Sequence, residues 1–114
     1  MSFITPAELA LWQRSNFEFN LLDVRRAQAR AADASEINHT SWLNPALWLD
    51  WKDTVPREHP VIVYCAHGHE ISQGLTAALR AMGLDARHLV GGMTAWKAAG
   101  LAVNSITTAT AETP

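Results

Sequence analysis

The chain has one cysteine, Cys65, and its setting is suited to nucleophilic chemistry. It closes an apolar run, Val61-Ile62-Val63-Tyr64, and opens the stretch Ala66-His67-Gly68-His69-Glu70-Ile71-Ser72. A free thiol titrates near about 8.5, so little of it is thiolate at neutral pH without help. A helix N-terminus and a ring of backbone N–H groups both favour the anion. Residues 66–71 can curl so that their N–H groups converge on the sulfur, with Gly68 supplying the sharp turn and Ser72 expected to cap the following helix. Such a cradle, closed by Gly68 and Ser72, holds a negatively charged group or a persulfide, and His67 and His69 can add positive charge or hydrogen bonds.

Other readings of these residues stay open. A cysteine at the end of a buried strand also packs as an inert small hydrophobe. The histidines can be solvated loop residues. A metal site from Cys65, His67 and His69 matches no standard zinc spacing, so no metal is expected. Asp23 and Arg25 end an earlier apolar stretch and read as supporting residues that pair with loops near the strand ends.

The elements around Cys65 follow from local signals. Thr5-Pro6-Ala7-Glu8 has the cap, first-turn proline and capping-box acid of a helix start, with the helix running to about Arg14. Phe3-Ile4 is expected as an edge strand, residues 19–24 as a buried strand, and residues 27–34 as a loop with a helical turn. A short strand is expected within 35–40, and Asn44-Pro45 starts a short helix to about Lys52. Leu75, Ala78, Leu79 and Met82 predict an amphipathic helix over 72–82, stopped by Gly83. A strand over 86–90, a Gly91-Gly92 turn and a helix over 93–99 complete a domain at 1–103, and 104–114 is expected to be a disordered tail. Strands alternating with helices predict an α/β fold, a mostly parallel sheet with helices on both faces. Ligands of such sheets lie beyond the carboxyl ends of the strands, where Cys65, Asp23 with Arg25, and Gly91-Gly92 all fall.

Composition narrows the functions. With 114 residues there is room for one domain, and a net charge of −2 without a basic stripe gives nucleic-acid binding no support. Neither a membrane span nor a signal peptide is visible, and one cysteine forms no internal disulfide. A reducing cytoplasm is the expected compartment, and there a lone thiol stays available.

The motifs in order, ITPAEL, LLDVR, VIVYCAHG, the helix ending at Met82-Gly83 and LVGGMTAW, resemble a single-domain rhodanese. That family comprises persulfide-forming sulfurtransferases, and the resemblance covers residues 3–103. It implies a three-layer fold with about five strands. Cys65 falls on the family's nucleophile, Asp23 and Arg25 on its Asp-x-Arg motif, and Gly91, Gly92 and Trp96 on its glycine turn and helix. The implied reaction passes sulfane sulfur from a small donor such as thiosulfate, or from another persulfide, to a thiol or cyanide. No cofactor is implied. The donor or acceptor can be carried on a protein, and a monomer or homodimer is expected.

Two departures bear on substrate. Glu70 stands five positions after the cysteine, where many rhodaneses carry arginine or a small polar residue. A carboxylate there disfavours a thiolate and repels an anionic donor. The span from Cys65 to Gly83 is one residue longer than in common sulfurtransferases, as in rhodanese-fold phosphatases and arsenate reductases, but Ile71 replaces their arginine. Oxyanion reduction is therefore disfavoured. A weakly active sulfur-carrier, sensing or partner-binding module is the main alternative. Trp96 reads as a core anchor, whereas Trp42, Trp48 and Trp51 exceed what the sheet needs and are expected in part to rim the site mouth.

Overall fold

In the computed structural model, which describes residues 2–106, the apolar run before Cys65 is the central strand of a five-stranded parallel sheet. In chain order the strands are β1 (Phe3–Ile4), β2 (Asn20–Asp23), β3 (Ser35–Glu36), β4 (Thr40–Trp42), β5 (Val61–Tyr64), β6 (Ala86–Leu89) and β7 (Asn104–Ser105). The helices are α1 (Pro6–Arg14), α2 (Ala27–Asp33), α3 (Trp48–Trp51), α4 (Glu70–Ala81) and α5 (Gly92–Ala98). The main sheet runs β1-β6-β5-β2-β4, with every neighbouring pair parallel. This is the expected α/β architecture.

All four residues of β5 are buried, because helices cover both faces of the strand. Strand alternation divides the core. Ile62 and Tyr64 join Leu9 of α1 and Met93 and Trp96 of α5 on one face. Val61, Val63 and Cys65 join Leu79 of α4 and Trp51 of α3 on the other. Cys65 is thereby aimed at α4. The capping box of α1 forms as expected: Glu8 N–H donates to Thr5 Oγ1 at 3.2 Å and Thr5 N–H to Glu8 Oε1 at 2.9 Å.

Four local expectations are corrected. Residues 27–33 form a full helix, α2, closed by Ala34 in the left-handed conformation, instead of a loop with one turn. The stretch expected as one strand divides into β3 and β4. The helix after Cys65 begins at Glu70, so Ser72 lies inside its first turn and does not cap it. Asn104 and Ser105, expected in the tail, pair antiparallel with Glu36 and Ser35. The rest of the expected tail, residues 107–114, lies outside the described residues. Among the described residues, no helix is long and apolar enough to cross a membrane.

Candidate active site

Cys65 follows β5 directly and is 6% exposed. Its thiol donates to Ser72 Oγ across 3.2 Å, and that hydroxyl is fully buried in the first turn of α4. Once the sulfur is ionised the same hydroxyl can turn and donate to it. Ser72, expected both to close the cradle and to cap the helix, thus meets the sulfur through its side-chain hydroxyl.

The loop after Cys65 is fastened to α5. The Cys65 and Ala66 carbonyls accept from the Met93 and Thr94 N–H groups, each at 2.9 Å, satisfying donors that the helix start leaves open. In a trans peptide the N–H points opposite to the C=O, so the Ala66 and His67 N–H groups face away from α5. Glycine permits this approach. A Cβ on Gly68, at φ +73°, would stand 2.6 Å from the Gly91 nitrogen, and one on Gly92 would stand 2.3 Å from the Cys65 oxygen. At the far end of the loop, Gln73 Nε2 donates to the Gly68 carbonyl at 2.7 Å.

A cleft of about 400 Å³ opens over the sulfur, lined by Cys65, Ala66, His67, His69, Glu70 and Ile71 with Arg25, Arg26 and Ala29 opposite. Of the predicted loop residues, only Gly68 and Ser72 are withdrawn from the cleft wall, both buried beneath it. His67 and His69 are exposed, their ring centroids 6.2 Å apart. His67 Nδ1 lies 3.0 Å from Thr94 Oγ1. Glu70 occupies the first position of α4, where its carboxylate competes with an anionic sulfur for the positive end of the helix.

Asp23 and Arg25 form the buried support behind the cleft. Arg25 Nε and Nη2 donate to the Asp23 carboxylate at 2.8–3.1 Å, and Nη1 reaches Asp33 at 2.8 Å. Nη2 also donates to the Ser35 carbonyl at 2.6 Å. Burial disfavours the Arg25 cation, but the bonds and charge of Asp23, with Asp33 behind them, outweigh it and raise its pKa above the ordinary value. The pair ties β2 to α2 and β3. The partners expected were loops near the strand ends; here they lie in a helix and a strand, and Arg25 also contributes to the cleft wall.

A family model for the rhodanese-like domain matches residues 5–99. The chain belongs to the rhodanese-like family. Thiosulfate sulfurtransferase GlpE of Actinobacillus succinogenes is 36% identical over 86 residues, 71% of either chain. The probable adenylyltransferase/sulfurtransferase MoeZ of Mycobacterium tuberculosis is 32% identical over 98 residues, 83% of this chain but only 24% of its own length. This rhodanese-like chain thus spans about a quarter of that relative. A rhodanese-related protein from Thermoplasma volcanium has the same fold, with a TM-score of 0.79 at 22% identity over 91% of this chain and 98% of that one.

Within this rhodanese-like domain, the tryptophan expectation is corrected in part. Trp96 is the buried anchor expected, its indole N–H donating to the Ala102 carbonyl at 2.9 Å. None of Trp42, Trp48 and Trp51 lines the cleft. Trp42 donates to the Arg25 carbonyl, Trp51 donates to the Asn44 carbonyl, and Trp48 packs edge-on against Trp51. Sequence reasoning missed Arg26, Ala29, Thr94 and Gln73 as site residues. Arg26 was visible as part of the charged cluster after β2, whereas the other three carry no local signal and arrive by tertiary folding.

Proposed function

We propose that this rhodanese-like domain is a sulfurtransferase that carries sulfane sulfur as a persulfide on Cys65. The observation behind this reading is the pinned loop. Both carbonyls nearest the sulfur are drawn to α5, which leaves the opposite N–H groups available to an anion beside a cleft-floor thiol. In the first step the Cys65 thiolate attacks the donor's outer sulfur. The donor's S–S bond breaks, and its electron pair leaves with sulfite or with a thiolate. In the second step a thiol or cyanide attacks the terminal sulfur of the persulfide, and the Sγ–S bond returns its electrons to Cys65. This is covalent ping-pong catalysis and requires no metal or organic cofactor.

Glu70 at the cleft wall weighs against the thiosulfate dianion and supports a less charged donor, such as a persulfide on a small thiol or a protein. It also favours, as a second reading, a slow sulfur carrier bound to a partner. The lone thiol suits a reducing cytoplasm, which is the proposed compartment.

Intact-mass measurement after incubation with thiosulfate, polysulfide and mercaptopyruvate tests the proposal. The expected result is a gain of one sulfur atom that Cys65→Ser abolishes. No adduct with any donor would refute a persulfide enzyme.

A further inference from the structure

We propose that His67, held by Thr94, is the base that prepares thiol acceptors for attack on the Cys65 persulfide. This inference rests on the persulfide reading above and assigns a residue to its second step.

The cleft carries two imidazoles and three charged groups, Arg25, Arg26 and Glu70. Arg25 is committed to Asp23, and arginine stays protonated throughout the neutral range. Arg26 and Glu70 are exposed and have no fixed partner among the described residues. His69 lies at the start of α4, its carbonyl engaged by the Gln73 N–H at 3.1 Å, but its ring meets only that of His67 and has no hydrogen bond among the described residues. His67 differs. Thr94 grips it twice: its N–H donates to the Ala66 carbonyl, immediately before His67, and its hydroxyl meets His67 Nδ1 at 3.0 Å.

That bond consumes one ring nitrogen. When the Thr94 hydroxyl acts as acceptor, Nδ1 carries the proton and Nε2 is the basic nitrogen, on a ring that lines the same cleft as Cys65. An oriented imidazole with one nitrogen hydrogen-bonded and the other without a hydrogen bond among the described residues, on a ring in the wall of the cleft over the thiol, is suited to a general base.

The step balances without another reactant. His67 Nε2 takes the proton of an acceptor R–SH, and the R–S sulfur forms a bond to the outer sulfur of Cys65–S–S⁻. The Sγ–S bond breaks with its electron pair on Sγ, and His67 returns the proton there. The products are R–S–S⁻ and the Cys65 thiol. The acceptor sulfur is oxidised to the persulfide level as Cys65 is reduced to the thiol. Thr94 is a positioning residue, since it acts only through the ring.

The test is single-turnover discharge. Protein loaded with polysulfide is freed of donor and mixed with acceptor, and loss of the added sulfur is followed by intact mass. His67→Ala is expected to discharge to a weakly acidic thiol such as β-mercaptoethanol about 10²-fold more slowly, the lower end of the ~10²–10⁴ that general acid–base catalysis supplies. Discharge to sulfite, which attacks as a dianion with no proton to surrender, is expected to slow far less than discharge to the thiol. Added imidazole is expected to restore the thiol rate. Thr94→Ala should share the thiol-specific loss, and Thr94→Ser, which keeps the hydroxyl, should not. A loaded His67→Ala protein that discharges to thiols at the wild-type rate, or that slows equally with sulfite, overturns the inference while leaving the persulfide reading intact. A wild-type protein that never gains sulfur overturns both.

Discussion

Gly92→Ala would separate a loop that is held by glycine packing from one that merely lies beside α5. Gly92 sits at φ +58°, and a Cβ there would meet Cys65 O at 2.3 Å, Gly68 N at 2.6 Å and Ala66 C at 2.9 Å. All three are backbone atoms, so no side chain can swing aside. Ordinary contact begins near 3.4 Å, so the loop and α5 would have to part by about 1 Å. The left-handed conformation costs an alanine about 1–2 kcal/mol, and overpacking adds typically about 1–3 kcal/mol. Gly100 isolates the first cost, because it has φ +74° and a Cβ there meets nothing within 4 Å. At about 4 °C per kcal/mol for a domain of this size, Gly92→Ala should lower Tm by about 8–20 °C and Gly100→Ala by about 4–8 °C. Thermal melts supply those values. Sulfur loading of Cys65, measured by mass at a temperature where both variants are folded, should fall about 10²-fold in Gly92→Ala alone, the usual effect of an ångström's misplacement. A Gly92→Ala protein that melts with Gly100→Ala and loads sulfur normally would refute this account of how the loop is held.

Three further outcomes follow from the same geometry. Glu70→Arg should lower the KM for thiosulfate by roughly threefold to tenfold, as expected from reversing one charge at a solvated cleft wall; steady-state kinetics decide it, and lost activity would give Glu70 a positive role. Tyr64 is fully buried, with its hydroxyl 3.0 Å from Thr40 Oγ1 and accepting from the Ile37 N–H at 3.3 Å. Burial, reinforced by the nearby Asp23 carboxylate, raises its pKa well above the ordinary value. Tyr64→Phe strands the Ile37 donor and should cost about 1–3 kcal/mol in urea unfolding, and an unchanged midpoint would count against it. The Asp33 carboxyl is pushed up by burial, but the bonds from Lys97, Ser35 and Arg25 outweigh this and hold it below its usual value. Its stabilisation is therefore complete above the unfolded value of about 4 and lost as pH falls through the lower folded value. Asp33→Asn should be less stable than wild type at pH ~7 and converge with it in strong acid; parallel urea curves at both pH values would contradict this.

The features legible in the sequence had chemical causes confined to a few neighbouring residues. Thr5 and Glu8 announce a capping box because both partners lie within one turn. The run 61–64 announces a buried strand because helices cover both of its faces. Residues 27–33 hid a helix because α2 buries none of its residues and therefore shows no apolar period. It is held from outside, by Arg25 on Asp33 and by Arg30 on Glu36. Ser72 was misplaced for a related reason. The start of α4 is set by the turn at His69, with φ −101° and ψ −126°, and not by a side-chain cap. The position of Cys65 could be read from the strand end that carries it. The grip of Thr94 on His67 could not, because it joins residues 27 apart in the chain.

The loop after Cys65 has two halves with different freedoms. Its first half, through Gly68, is clamped by backbone bonds and by glycine contacts that admit no extra atom. Its second half, His69-Glu70-Ile71, faces the cleft on exposed or half-buried side chains. Mutations in the second half can reshape the cleft wall without loosening the clamp. In evolutionary terms, under the proposed function a lineage can change its sulfur source while inheriting the same sulfur carrier.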